Sequence, residues 1–249
     1  MRNLANTSHA RTSHALPALT ALVLTALTAM SSLAGPFRDF EKELSEAYAP
    51  YRAALMQTNQ KNMVETQKAL AAFETRWSAL SGKYRSAPPP QYAEDADFQK
   101  TMAEIDAVLV ASRTAVAKGD LAGAHEILEV IRDKLGEMRS RNGLISFSDR
   151  MDAYHTQMEH VLKAPRKDTA EGLAFLREEA AVLVHILAAA EKHVPIALKN
   201  DPAYAEAMGS LRASATDLLE AVRSNKPQAI EAAMKALKPA YARFFVKFG

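Results

Sequence analysis

The stretch FQKTMAEIDAVLVASRTAV, residues 98–116, decides the fold class. Phe98, Met102, Ile105, Leu109 and Val116 follow one another at intervals of 4, 3, 4 and 7, so on a helix they form one apolar stripe. A strand would alternate instead, and alternation is absent from the chain. The stripe returns in Tyr204, Met208, Leu211, Ala215, Leu218 and Val222, and again in Met63, Leu70, Trp77 and Tyr84, with Phe73 and Leu80 beside them. Stripes of this kind bury against neighbours at shallow crossing angles, as in antiparallel helix bundles.

Helix punctuation extends the reading outward to eight helices, at roughly 37–58, 62–85, 95–118, 120–141, 147–162, 168–193, 201–223 and 226–247. Asn62 with Glu65, and Asp168 with Glu171, each place a cap residue three before a Glu. Asp201-Pro202 sets an N-cap before the helical position that best tolerates proline. Pro88, Pro89 and Pro90 end a helix, Asn142-Gly143 is a left-handed stop, and Pro50 predicts a kink or break in the first helix.

Placing each residue over the one 106 positions later aligns 37–143 with 143–249 without a gap. Tyr48 meets Tyr154, Leu70 meets Leu176, Pro89 meets Pro195, Asp95 meets Asp201, and Gly143 meets Gly249. The shared order of caps, turns and stripes predicts an all-α protein of two tandem antiparallel four-helix bundles, 35–143 and 144–249, related by an internal duplication of 106 residues.

Residues 1–34 have the layout of a secretory signal peptide. Arg2 and Arg11 precede a weakly apolar run from Ala15 to Met30, and Ser32 and Ala34 sit at the small-residue positions before a cut. That run is shorter than the roughly 20 residues a spanning helix needs. No stable membrane insertion is therefore expected after cleavage, and the expected location is the bacterial periplasm or the cell exterior.

The whole chain of 249 residues is 48% hydrophobic and 24% charged, a globular composition. Its formal charge of +2 comes from the signal's two arginines, so the mature chain is formally neutral and offers no electrostatic footprint for nucleic acid. The absence of cysteine excludes disulfides, thiolate metal sites, a cysteine nucleophile and covalent c-type haem. There is no Gly-rich phosphate loop, no His-Glu-x-x-His and no nucleophile elbow, so no motif supports an enzyme. These features favour a non-catalytic module that binds a protein partner or a small ligand, in a cleft between the bundles or on the C-terminal face.

The richest local cluster lies in DRMDAYHTQMEH, residues 149–160. Met151, His155 and Met158 fall on one helical face and suit cuprous ion. Asp152, His155 and Glu159 on the flank suit a harder divalent ion. The alternative function is thus a copper site, or a bundle holding non-covalent haem b. Under the repeat, Met151, His155 and Met158 oppose Ser45, Ala49 and Arg52.

His125 shares a flank with Glu129, Arg132 and Arg139, read as a solvated face. His185 interrupts an apolar helix and points away from its own core, which suggests that the first bundle packs there. Phe245 and Phe248 stand opposite Arg139 and Asn142, two positions expected to face water. They are therefore expected at an interface: with the other bundle, a partner, or a membrane, in that order.

Overall fold

The structure is a computed structural model that describes residues 35–164 and 169–249. The signal-peptide reading of 1–34 and the cap expected of Asp168 lie outside the described residues. Within them there are eight α-helices and no strand: α1 Pro36–Asn59, α2 Met63–Tyr84, α3 Phe98–Ala117, α4 Leu121–Arg141, α5 Phe147–Leu162, α6 Ala170–Glu191, α7 Pro202–Arg223 and α8 Pro227–Phe248. None of these helices is long and apolar enough to cross a membrane.

Side-chain caps set most of the helix starts. Asn62 accepts the Glu65 N–H at 3.2 Å, and Asp201 accepts those of Ala203 and Tyr204 at 2.8 and 3.3 Å. Replacing Asp201 by Ala frees both donors and should lower unfolding free energy by about 1 kcal/mol, read as a fall in the urea midpoint. The cap of α6 is Thr169, which accepts the Gly172 N–H at 3.1 Å.

Helix α3 starts at Phe98 rather than 95 because Asp95 has other partners. Its carboxylate takes Arg141 Nε at 3.0 Å and Asn142 Nδ2 at 2.9 Å, tying the end of α4 to the α2–α3 connection. Gly143 has φ +69° and stops α4 as expected. Pro50 does not break α1, which runs through it, and α8 likewise continues through Pro239. Each proline removes one backbone donor while its neighbours hold the helix.

Helix α1 packs on α2 and α4, and α3 on the same two, which closes one ring of four. Helices α5, α6, α7 and α8 close a second ring in the same order. The apolar stripes face inward in both: Phe98, Met102 and Ile105 in one and Leu176, Leu183 and Leu211 in the other are fully buried. A 3-10 turn at Pro90–Tyr92 precedes α3, and another at Ile196–Leu198 precedes α7.

Buried positions recur 106 residues apart in three helix pairs. Leu70 and Trp77 match Leu176 and Leu183, Met102 and Ile105 match Met208 and Leu211, and Leu128 and Ile131 match Met234 and Leu237. In the fourth pair the interval is 107, since Leu44, Ala47, Tyr51 and Ala54 of α1 match Met151, Tyr154, Met158 and Val161 of α5. Met151 and Met158 therefore stand where α1 has core residues, not where it has Ser45 and Arg52.

The two rings meet through α1 against α8 and through α4 against α5. Helix α6 does not carry that contact, and His185 is exposed. The solvated reading of the α4 flank is also overturned: Arg132 and Arg139 are buried, paired with Asp152 and Asp149 of α5. Periodicity within α4 identifies the stripe facing its own ring, whereas these arginines occupy the flank facing the other.

Candidate functional site

Where α1, α4, α5 and α8 converge, they leave a cleft of about 580 Å³, within the range of small-molecule sites. Each helix contributes one flank. Leu55 and Met56 come from α1, His125, Glu126, Glu129 and Arg132 from α4, His155, Met158 and Glu159 from α5, with Lys163 just beyond it, and Lys238, Tyr241 and Phe245 from α8.

The polar groups on α4 are held in fixed orientations. Thr58 Oγ1 donates to the Leu55 carbonyl at 2.8 Å, so its only proton is used. His125 Nδ1 lies 2.8 Å from that oxygen and 3.1 Å from the same carbonyl, so Nδ1 carries a proton, and Nε2 is left to donate elsewhere when it carries one too. Nε2 then faces Glu129 Oε1 at 3.6 Å. The His125 contact, with help from Arg132, pulls the Glu129 carboxyl down to about 2, against the opposing effect of burial. Glu129 is therefore ionised throughout the physiological range. At Arg132 desolvation works against the charge, but Asp152 outweighs it and raises the guanidinium pKa.

On the opposite wall the His155 ring stacks on Tyr241, with centroids 4.9 Å apart and planes 19° apart. Burial, with Arg132 nearby, lowers its pKa to about 4, so the ring is neutral at pH 7. Lys238 Nζ pairs with Glu159 Oε1 at 2.9 Å. Tyr241 also stacks on Phe245 at 5.5 Å and on Tyr154 at 5.9 Å, and is only 6% exposed. Its hydroxyl oxygen is buried with no hydrogen-bond partner among the described residues. The hydroxyl oxygens of Tyr154 and Tyr204 are likewise buried and unmatched among the described residues, each at a cost of about 1–3 kcal/mol.

The residues singled out in the sequence are partly brought together. His155, Met158, Glu159 and Phe245 line the cleft, and Met151 does not. Met151 is fully buried in the core beside Tyr154, so the three-ligand face proposed for cuprous ion is open at His155 and Met158 alone. Asp152 is engaged by Arg132. Among the described residues no three His, Asp or Glu side chains gather closely enough to hold a metal ion.

Phe245 is buried, and Phe248 is half-buried against Tyr204 and Phe244. Phe248 also lines a smaller hollow of about 340 Å³ with Tyr48 and Arg52 of α1. There Arg52 donates to the carbonyls of Val246 and Gly249 at 3.3 and 2.5 Å, fastening the end of α8 to α1. Arg139, which Phe245 matches in the repeat, is buried rather than wet.

Sequence reading missed the cleft roles of Tyr241 and Lys238. Tyr241 sits in the apolar stripe of α8, where it reads as filler. A groove of similar volume between α2 and α3 is more open. Its charged groups are mostly matched to one another, Arg85 and the Trp77 indole with Asp106, and Arg113 with Glu74. No protein-family model, curated protein or solved structure matches this chain, so its functional assignment rests on the chemistry of the cleft.

Proposed function

We propose that the chain is a non-catalytic binding module, exported through its N-terminal signal, that holds a small ligand in the cleft between two four-helix bundles. The bundles, 35–143 and 144–249, are taken as repeats of one ancestral unit. The recurrence of buried positions and of the 3-10 turn supports this, with a one-residue shift confined to the first helix of each unit.

The observation that carries the binding role is a cleft of about 580 Å³ walled by all four contact helices, into which charged side chains and a neutral histidine converge over apolar residues. A merely structural seam would be filled with apolar side chains. Here the polar groups converge and are held in place by His125, Asp152 and Lys238, as a pre-organised site requires.

Ala242 is exposed and lines the cleft, so Ala242→Trp fills the cavity without touching either core. With methionine methyls labelled, a chemically diverse fragment library should shift the Met56 and Met158 signals in the natural chain. The variant should show none of these shifts while its melting temperature is unchanged. Fragments that bind both proteins alike, or none that shift these methyls, would overturn the assignment.

A further inference from the structure

The two walls of the cleft carry opposite charge. On α4, Glu126 and Glu129 face the opening; Arg132 is shared between Asp152 deeper down and Glu129 at 3.5 Å, so Glu126 is the carboxylate of that wall without an ion-pair partner among the described residues. On the other wall Lys163 and Lys238 outnumber Glu159. Between them lies an apolar floor of Met56, Met158, Tyr241 and Phe245, with the unpartnered Tyr241 hydroxyl beneath it.

A purely cationic ligand would gain from one wall and be repelled by the other, and a purely anionic one the reverse. A ligand with both charges satisfies each wall in turn and places its side chain on the floor. We infer that the cleft binds an amphipathic zwitterion, an amino acid or short peptide with an apolar side chain. Its ammonium would face Glu126, and its carboxylate Lys163, the two charges on these walls that no ion pair takes up among the described residues. The volume of about 580 Å³ exceeds what a single aromatic amino acid fills, leaving room for a second residue.

This inference rests on the binding role proposed for the cleft, and it fails separately from it. The probes are L-phenylalanine, phenethylamine, which keeps only the cation, and 3-phenylpropionate, which keeps only the anion. Each is titrated calorimetrically into the natural chain, Glu126→Gln and Lys163→Gln. Both substituted residues are exposed, so the variants keep the fold.

L-phenylalanine should bind at least tenfold more tightly than either analogue. Glu126→Gln should weaken it severalfold without weakening 3-phenylpropionate, and Lys163→Gln should weaken it without weakening phenethylamine. An analogue that equals L-phenylalanine, or variants that bind all three probes as the natural chain does, would overturn the zwitterion assignment. If L-phenylalanine gives no heat at millimolar concentration while fragments still shift Met158, the ligand class falls and the cleft assignment stands. Loss of the fragment shifts removes both.

Discussion

Asp149→Ala should lower the free energy of unfolding by about 3–5 kcal/mol, the range for stranding a buried charge. Asp149 is the partner of Arg139, whose side chain is 6% exposed, so the substitution leaves a guanidinium with neither carboxylate nor ample water. The same carboxylate accepts the Ser146 N–H at 2.7 Å and the Ser146 hydroxyl at 2.8 Å, closing the capping box of α5. Arg139→Met should cost less, about 1–2 kcal/mol, because Asp149 keeps both Ser146 contacts and its own 18% exposure. The asymmetry is the test, read from urea midpoints with the slopes held equal. Equal losses would mean that the pair contributes by its contact alone, and that neither charge is stranded by removal of the other.

This ion pair also shows what the sequence reveals and what it conceals. The ends of α5, 147 and 162, follow from Ser146, Asp149 and the stripe Met151, Tyr154, Met158 and Val161, all local signals. Helix α3 begins three residues late because Asp95 is taken by Arg141 and Asn142, partners 46 and 47 positions away that no local rule anticipates. Arg132 and Arg139 resemble a solvated flank because helical periodicity records only the face turned to a helix's own bundle.

A signal was nevertheless present. Helices α4 and α5 are joined by a short connection, 142–146, turned at Gly143, and it brings Asp149 to Arg139 and Asp152 to Arg132. The arginines of one flank then meet the aspartates of the next. The cleft itself was less legible. Leu55, His125, His155 and Tyr241 come from four helices, and nothing in their own periodicity says which flanks meet across two bundles.

Between pH 6.5 and pH 4 the folded state should lose about 3 kcal/mol of stability through His155 alone. Its ordinary value is 6.5 and its folded value about 4. Above pH 6.5 the ring is neutral in both states and the full stability is present. As pH falls, the unfolded chain takes up a proton that the folded chain refuses until pH 4, so stability is lost across that window. The ring is faced by Glu129 and Arg132 from α4, by Glu159 on its own helix, and by Tyr241 and Lys238 from α8. The two carboxylates favour the proton, but burial and the two cations outweigh them. Glu129 adds a loss of the same sign lower down, as pH falls from 4.5 toward 2. His155→Phe keeps an aromatic ring against Tyr241 and removes the titration, so its urea midpoint should change much less between pH 6.5 and 4.5 than that of the natural chain. Two parallel curves would place the proton on the folded ring at its ordinary pH, and with it a water-filled cleft in place of the buried stack.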